Sequence, residues 1–224
     1  MSSLMEAPLA PILERLFAED DAYWSRDSQA MRYWSDLPVE ERQRRIQSKT
    51  DYRALYAALA DAPLAISRET GRLLYMLARN PSVRTIVEFG TSFGLSTLHL
   101  ASALKDSGGG RLITTEFEHA KVAEARFNLM AAGLSDLVEI REGDALKTLA
   151  TDLPDSIDLV LLDGAKGLYT DVLDLLESRL RPGALVLADD ADQCPEYLDR
   201  VRDPENGYLS VSVANDIELS LRLG

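Results

Sequence analysis

The stretch Thr85-Ile-Val-Glu-Phe-Gly-Thr-Ser-Phe-Gly-Leu-Ser-Thr-Leu-His-Leu-Ala-Ser-Ala-Leu104 decides the fold of this chain. Its first five residues are apolar or β-branched except for Glu88, which is typical of a strand covered on both faces of a parallel sheet. Gly90 and Gly94 follow in a loop, and the apolar run after them predicts a helix. Gly90 suits a sharp turn off the strand end, and Gly94 allows either close approach of the backbone to a ligand or tight packing of the helix start on the sheet.

The spacing of this glycine loop differs from that of a dinucleotide-binding fingerprint. In that fingerprint, closely spaced glycines let a pyrophosphate sit on the helix N-terminus. Here Glu88 precedes Gly90, and the next glycine follows four residues later. A carboxylate at the mouth of the loop would repel a pyrophosphate and would suit a ligand that carries an ammonium group. The alternative interpretation is a strand–turn–helix connection whose glycines serve only the backbone.

A second strand, predicted at 111–115, ends on Glu116. An acid at the end of the second strand is where nucleoside-binding α/β domains hydrogen-bond the ribose hydroxyls. Two strand-end acids around one glycine loop favour a cationic nucleoside as the ligand. The pattern therefore predicts S-adenosylmethionine as the cofactor.

Strands and helices alternate with short connections from Thr85 onward, which is the pattern of a doubly wound, mostly parallel sheet. We predict an α/β fold of the Rossmann-like kind, with an antiparallel hairpin at its C-terminal edge and a helical N-terminal extension. The predicted strands are 85–89, 111–115, 138–141, 157–162, 184–188, 208–213 and 217–223, and the predicted helices between them are 95–104, 120–132, 145–150 and 169–180.

The first 80 residues read as helices, predicted at 10–21, 38–47, 50–60 and 67–78. The charged helix at 38–47 is interpreted as a solvated face or a lid. We divide the chain into a helical extension, residues 1–62, and an S-adenosylmethionine-binding domain, residues 63–224.

The composition limits the classes of function. The chain has 224 residues and a formal net charge of −13 without a basic block, and binding to nucleic acid or to an anionic membrane needs clustered Lys and Arg. The single cysteine, Cys194, excludes an internal disulfide and fits a reducing compartment. The sequence shows no signal-peptide pattern and no apolar stretch of about 18–20 residues, the length of a membrane span. We therefore expect a cytoplasmic protein without a membrane partner.

Acidic residues follow every predicted parallel strand, where open α/β sheets bind their ligands. Asp144 comes after the third strand, Asp163 after the fourth, and Asp189 and Asp190 after the fifth. N-capping of helices explains a single acid of this kind, but acids at all five strand ends are harder to assign to capping alone. A short acid such as Asp144 could hydrogen-bond an adenine amino group.

Asp163, Asp189 and Asp190 would cluster if the fourth and fifth strands are neighbours. Three converging carboxylates repel unless a cation neutralises them or one stays protonated, and oxygen ligands suit a hard ion such as Mg²⁺. Lys166, three residues past Asp163, could reach the same pocket. A metal and other cations there would lower its pKa toward that of a general base. The alternative is an ordinary surface lysine at a helix start.

Four segments carry a family resemblance: Val87-Glu-Phe-Gly-Thr-Ser-Phe-Gly-Leu-Ser96, Ile113-Thr-Thr-Glu116, Leu161-Leu-Asp-Gly-Ala-Lys-Gly-Leu-Tyr169 and Pro182-Gly-Ala-Leu-Val-Leu-Ala-Asp-Asp190. The chain resembles the class I S-adenosylmethionine-dependent O-methyltransferases of the cation-dependent catechol and caffeoyl-coenzyme A type. The Asp-x-x-Lys-x-x-Tyr element with the acidic pair downstream is specific to this branch. The resemblance covers roughly residues 60–223.

The resemblance implies methyl transfer from S-adenosylmethionine to a small hydroxylated acceptor with catechol-like vicinal oxygens, assisted by a divalent cation such as Mg²⁺. It also implies a homodimer, in which residues 1–62 complete the acceptor pocket or form the dimer contact. The implied cofactor site comprises Glu88, Gly90, Ser92, Gly94 and Ser96 around the methionine part, Ile66 in the segment that covers the cofactor, Glu116 at the ribose, and Asp144 and Ala145 at the adenine. The implied metal ligands are Asp163, Asp189 and Asp190. Asp163 is also implied at the cofactor and in catalysis, and Lys166 is implied as the general base.

The pair Asp189-Asp190 departs from the family, which usually has Asp-Asn at these positions, and a third full carboxylate makes the site more anionic. Two other functions stay open. One is methylation of a hydroxylated tRNA base, which the net charge of −13 disfavours. The other is a nucleoside-binding α/β protein without methyl transfer, for which Lys166 and the three aspartates would have to be incidental.

Overall fold

The computed structural model of the chain describes residues 2–224, except for the side chain of Gln29. This part of the chain forms ten helices and seven strands, apart from short 3₁₀ turns. They are α1 Leu9–Ser25, α2 Gln29–Asp36, α3 Val39–Ile46, α4 Tyr52–Ala58, α5 Arg68–Ala78, β1 Thr85–Phe89, α6 Leu95–Asp106, β2 Arg111–Glu116, α7 His119–Ala132, β3 Val138–Glu142, α8 Ala145–Thr148, β4 Ile157–Leu162, α9 Tyr169–Leu176, β5 Leu180–Ala188, α10 Pro195–Arg202, β6 Tyr208–Ser212 and β7 Glu218–Arg222.

The strands form one sheet in the order β3-β2-β1-β4-β5-β7-β6. β1 pairs in parallel with β2 on one side and with β4 on the other, so the strand order reverses between β1 and β4. Ligands of open α/β sheets bind at such a switch point. β7 runs antiparallel to both of its neighbours. The predicted fold is confirmed, and the hairpin is oriented so that β7 pairs with β5 while β6 forms the edge.

Helices cover both faces of the sheet. All six residues of β4 are buried, which matches their nearly continuous apolar sequence. On one face, Val87 and Phe89 pack in an apolar layer with residues of α9 and α10. On the other face, Ile86 packs in a layer with residues of α1, α5 and α6. The two layers hold β1, and with it the loop that follows, between them.

The N-terminal helices belong to two different clusters. α1 contributes Leu13 and Phe17 to the same apolar layer as α5 and α6. The end of α1 packs with α3 and α4 in a separate small cluster that includes Tyr23, Ile46 and Leu55. Residues of the N-terminal extension and of the sheet domain thus share one apolar layer. The division of the chain at residue 62 stays a prediction. No helix in residues 2–224 has the length and apolar character needed to cross a bilayer.

Three elements differ from the sequence-based expectation. The helices α2 and α10 were not predicted because each has only eight residues, and mixed polar residues obscure their periodicity. β5 begins at Leu180 rather than at residue 184, because the strand continues through Pro182 and Gly183 with a shift in its pairing to β4. Pro-Gly favours a turn in sequence, but here it lies within an irregular strand start.

Candidate active site

A cavity of about 620 Å³ opens beyond the carboxyl ends of the parallel strands, where the strand order reverses. This volume lies in the range of ligand-binding pockets, about 300–1,000 Å³. Strand-end loops form most of its wall, and the N-terminal helices close it from above. The lining includes residues 89–93, 95–96, 115–118, 143–145, 163–166 and 189–190, together with 52–53, 56 and 63–65.

Gly90 lets the loops after β1 and β4 lie against each other. Its φ is +104°, and an added Cβ would overlap the carbonyl oxygen of Asp163. The amide of Asp163 donates a hydrogen bond of 2.8 Å to the carbonyl of Phe89, which continues the β1–β4 pairing past the strand ends. Only glycine fits this close approach, so the first of the two loop glycines has the turn role predicted for it.

Gly94 is favoured by the backbone conformation at the start of α6. It caps the N-terminus of α6 with φ +89°. An added Cβ would lie 3.5 Å from Ala125 of α7, an ordinary contact distance, and Gly94 does not line the cavity. The positive φ, and not close packing, therefore favours glycine here. The predicted contact of Gly94 with the cofactor stays a prediction.

Glu88 lies beneath the glycine loop instead of on the cavity wall. It is fully buried, and its carboxylate accepts hydrogen bonds of 2.6 Å from the hydroxyls of Ser96 and Thr97. Burial raises the pKa of Glu88, although the hydroxyl donors partly counteract it. Both carboxylate oxygens are turned toward the first turn of α6. The predicted contact of Glu88 with the methionine part of the cofactor stays a prediction. Glu88 instead fixes the position of Ser96, which does line the cavity.

Glu116 reaches the cavity at the end of β2. Its carboxylate accepts hydrogen bonds from the backbone amides of Ser92, Phe117 and Glu118 at 2.9, 2.9 and 3.0 Å. It therefore joins the glycine loop to the start of α7. Ser92 in turn donates its hydroxyl to the carbonyl of Pro63, so the segment before α5 is attached to the same loop.

Asp144 forms the end of the cavity beyond β3. Its side chain accepts a hydrogen bond from the amide of Leu146 at 3.1 Å and so caps α8, whose first residue is Ala145. Its other oxygen lies 2.5 Å from Nη2 of Arg53 on α4. Asp144 thus combines the capping role with a position on the cavity wall, and it connects the N-terminal helices to the sheet.

Lys166 occupies the centre of the acidic cluster. Its Nζ lies 3.2 Å from Oδ1 of Asp163 and 3.0 Å from Oδ2 of Asp190. It also donates hydrogen bonds to the hydroxyl of Tyr169 at 2.9 Å and to the carbonyl of Asp189 at 3.3 Å. Lys166 is 8 % exposed, so it is not the surface lysine that the alternative interpretation would require.

The titration behaviour of this cluster is dominated by burial and mutual repulsion. Burial raises the pKa of Asp163 to about 6 and that of Asp189 to about 8, and the charge of Asp190 adds to both increases. Burial lowers the pKa of Lys166, but Tyr169, Asp163 and Asp190 outweigh it and hold the pKa well above its usual value. In this arrangement of side chains Lys166 is an ammonium. The lowered pKa of Lys166 expected beside a metal ion stays a prediction.

The types of side chain in this cluster suit a divalent cation, but their present positions do not form a binding site for one. Asp163, Asp189 and Asp190 all line the cavity, and three carboxylates are a donor set for a hard cation. In residues 2–224, however, no three His, Cys, Asp or Glu side chains converge in a way that could hold an ion. The ammonium of Lys166 lies between two of the predicted ligands. The donor chemistry fits the ion, whereas the present arrangement is not an ion cage.

The central part of the chain is similar to known proteins. The family model described as "Methyltransferase domain" matches residues 87–191. This segment is therefore similar to methyltransferase domains. A catechol O-methyltransferase of Mycobacterium tuberculosis is 40% identical over 104 residues, 44% of this chain and 46% of that protein. A catechol O-methyltransferase of Niastella koreensis is 38% identical over 86 residues, 38% of each chain.

A solved structure extends the likeness beyond the matched segment. The O-methyltransferase TomG from Streptomyces achromogenes, in complex with S-adenosylmethionine, superimposes with a TM-score of 0.64 at 27% identity over 84% of this chain and 100% of that one. The sequence matches to the two catechol O-methyltransferases span less than half of their lengths. The resemblance to S-adenosylmethionine-dependent O-methyltransferases of the catechol type, predicted from the sequence, is confirmed.

The segment 87–191 brings most of the predicted site residues to one cavity. Those that line it are Gly90, Ser92, Ser96, Glu116, Asp144, Ala145, Asp163, Lys166, Asp189 and Asp190. Glu88 and Gly94 support the loop from behind, as described above. Ile66 is 5% exposed and packs in the apolar layer, and the three preceding residues, 63–65, line the cavity in its place. The predicted role of Ile66 in covering the cofactor stays a prediction.

Several cavity residues were not found from the sequence. Trp24 on α1, Tyr52 and Tyr56 on α4, and Lys121 on α7 all line it. Tyr52 and Tyr56 are four residues apart and so share one side of a helix, which is a weak signal that also describes ordinary core packing. Nothing near Trp24 or Lys121 in the sequence indicates a site, because their position depends on how the N-terminal helices and α7 pack on the sheet.

Proposed function

We propose that this protein transfers the methyl group of S-adenosylmethionine to an oxygen of a small hydroxylated acceptor that has a second oxygen on the adjacent carbon, as in a catechol. One observation carries the proposal. A single cavity joins the glycine loop and the acids after β2 and β3 to the cluster around Lys166 after β4 and β5. A nucleoside-containing cofactor and a small acceptor can therefore meet in one cavity.

The half of the cavity around Glu116 suits the cofactor. The backbone of Gly90 and Ser92 forms its base, and Glu116 and Asp144 lie at successive strand ends, where a ribose and an adenine would be held. Phe117, beside Glu116, adds an aromatic surface for the base. Ser96 lies at the N-terminal turn of α6 and is positioned by Glu88, so it can contact the methionine part.

The other half of the cavity suits an aromatic acceptor. Trp24 and Tyr56 form an aromatic wall, and Leu168 extends it. Tyr52 lies on the side toward Arg53 and Asp144. Trp24 uses its indole N–H in a bond of 2.9 Å to Asp20, and Tyr56 donates its hydroxyl to the carbonyl of Gly164 at 3.3 Å. With their polar atoms engaged by the protein, these rings present mainly apolar surface. A flat ring bearing hydroxyls toward Lys166 is the acceptor that matches such a wall.

We include a divalent cation, with Mg²⁺ as first choice, in this proposal because of the donor set of Asp163, Asp189 and Asp190. Bound there, it would lower the pKa of the acceptor hydroxyl. The chain's own groups act as follows. Lys166 donates hydrogen bonds to the acceptor oxygens while it is an ammonium, and it can remove a proton from them only when the charges of Asp163 and Asp190 are compensated. A cavity that binds acceptor and cofactor together lowers the entropic cost of their encounter.

The proposal is tested first by calorimetric titration with S-adenosylhomocysteine, with and without Mg²⁺. Binding in the micromolar range is expected, and its absence would overturn the assignment of the cofactor. Methyl transfer is then measured with catechol and with phenol as acceptors, in Mg²⁺ and in EDTA. Turnover of catechol alone, lost in EDTA, is the expected result. Equal turnover of catechol in EDTA would overturn the cation, and equal turnover of phenol would overturn the vicinal acceptor.

Two further predictions from the sequence stay predictions. The homodimer is to be tested by sedimentation of the purified protein at several concentrations. Methylation of a tRNA base receives no support from the charge of −13, and the same activity assay with unmodified and hydroxylated tRNA would test it.

A further inference from the structure

Lys121 is a buried lysine to which the proposed reaction assigns no role. It lies in the first turn of α7, is 3% exposed and lines the cavity. With the other residues of the described chain its ammonium forms neither a hydrogen bond nor an ion pair, and its pKa is affected by burial and by distant charges alone. The ring of Phe93 in the glycine loop is a neighbour, with its centroid 5.9 Å from Nζ. Lys121 therefore directs an unpartnered ammonium into the cavity.

An ammonium in this position is unfavourable unless something satisfies it. Burial disfavours the charged form and lowers the pKa of Lys121, and the carboxylates of Glu116, Glu118, Asp61 and Asp163 counteract this from a distance. Glu116 has the largest effect of the four and Asp163 the smallest. Because α7 starts just after Glu116 and Lys121 lies in its first turn beside Phe93, Lys121 belongs to the half of the cavity around Glu116. The ammonium can therefore bind a ligand group that enters that half.

The charge around Lys121 decides which kind of group this is. Several carboxylates surround one ammonium, so an anionic ligand group would meet net repulsion. A neutral hydroxyl accepts a hydrogen bond from the ammonium without adding charge. Glu116 has about four lone-pair positions, and backbone amides use three of them. One acceptor position remains on Glu116, and donors remain on Lys121.

We propose that Lys121 and Glu116 bind the ribose diol of the cofactor as a pair. One hydroxyl donates to the remaining lone pair of Glu116, and the adjacent hydroxyl accepts a hydrogen bond from Nζ of Lys121. This inference rests on the proposed function, because the ligand it concerns is the ribonucleoside part of S-adenosylmethionine. Under this proposal Lys121 is a cofactor-binding residue that donates a hydrogen bond to the second ribose hydroxyl.

The test compares wild type with Lys121→Met for binding of S-adenosylhomocysteine and of 5′-methylthioadenosine, which keeps the ribose and lacks the amino acid. The variant is expected to weaken both ligands by the same factor, roughly tenfold for one charge-assisted hydrogen bond. The 2′-deoxy and 3′-deoxy forms of 5′-methylthioadenosine complete the comparison. For one of the two, wild type and variant should bind equally, because the hydroxyl that Lys121 contacts is missing.

Three results would overturn the inference. They are an unchanged affinity in the variant, an equal loss for all ligands including both deoxy forms, and a loss for S-adenosylhomocysteine without one for 5′-methylthioadenosine. The last would assign Lys121 to the carboxylate of the cofactor. If the wild type binds none of these ligands, the proposed function fails, and this inference fails with it.

The matched control is Lys147→Met. Lys147 lines the same cavity but is exposed, so its loss should leave all four affinities unchanged. If Lys147→Met weakened the affinities as much as Lys121→Met does, the effect would come from the net charge of the cavity. That result would overturn the proposed pair of Lys121 and Glu116. The melting temperature of Lys121→Met should be equal to or above that of wild type, because an apolar chain of similar length replaces a buried, unpaired charge.

Discussion

The ammonium of Lys166 lies 3.0 Å from Oδ2 of Asp190, whose backbone is left-handed with φ 51°. Aspartate and asparagine are the non-glycine residues that adopt this conformation most readily. The backbone at this position therefore accepts the Asp-Asn pair of the family pattern and the Asp-Asp pair of this chain equally well. The difference between the two is the charge next to Lys166, not the shape of the loop.

We expect Asp190→Asn to fold normally and to shift the pH profile of methyl transfer. Asp190 is among the charges that raise the pKa of Lys166, so its removal lowers that pKa. If the neutral amine takes the acceptor proton, the half-maximal point of the rising, acidic limb of kcat/KM moves to lower pH by about one unit. A limb that stays at the wild-type pH would contradict the role of Lys166 as the base.

Asp163→Ala should abolish turnover while leaving the cofactor bound. We expect kcat to fall by at least about 100-fold and the heat of Mg²⁺ binding to disappear, with only a modest loss of affinity for S-adenosylhomocysteine. The control is Asp174→Ala, which removes an exposed carboxylate of α9 paired with Arg200. Wild-type turnover in Asp163→Ala would rule out its part in the reaction.

Gly90→Ala should be far more damaging than Gly109→Ala. Both glycines have φ +104°, but a Cβ at Gly90 would overlap the backbone of Asp163, whereas a Cβ at Gly109 meets nothing within 4 Å. The conformational strain of about 1 kcal/mol or slightly more is shared by the two variants, so their difference isolates the overlap. Urea unfolding should show a loss at Gly90 larger by at least about 1 kcal/mol, with loss of cofactor binding. Equal losses would mean that the loops after β1 and β4 can separate freely.

The ligand-free protein should become less stable as the pH rises from about 4 to about 8. The pKa of Asp189 is raised from 3.8 to about 8 in the folded state, so between these values the folded chain binds more protons than the unfolded chain. The free energy of unfolding then falls with increasing pH. Asp189→Asn removes this contribution and should flatten the pH dependence, as measured by urea unfolding in the absence of divalent ions. Parallel curves for variant and wild type would refute the raised pKa.

The sequence predicted those parts of the site that depend on local order along the chain. Each acid at a strand end follows its own strand, so Glu116, Asp144 and Asp163 reach the cavity once the sheet forms in parallel. Glu88 is different, because its direction depends on which neighbour takes its carboxylate, and the hydroxyls of Ser96 and Thr97 take it. Its burial could not be read from its place in the motif.

The parts that were not predicted depend on packing between distant segments. Trp24 and Tyr56 reach the cavity because α1 and α4 fold over the strand ends, and no residue near them in sequence signals this. Ile66 was placed at the cofactor from its position before α5, but its side chain packs inward and the residues before it face the cavity. Lys121 follows the same logic, since a lysine in a helix is usually solvated.

The hydroxyl of Ser92 donates a hydrogen bond to the carbonyl of Pro63. This bond connects the glycine loop after β1 to the segment between α4, which carries Tyr56 of the aromatic wall, and α5. A ligand that orders one of these segments reduces the conformational freedom left to the other. Under the proposed function, binding of the two substrates would then be thermodynamically coupled. By linkage, the factor by which cofactor tightens acceptor would equal the factor by which acceptor tightens cofactor. An acceptor that fits the aromatic wall well would thereby also slow the dissociation of the cofactor. The release of the two products would be coupled in the same way.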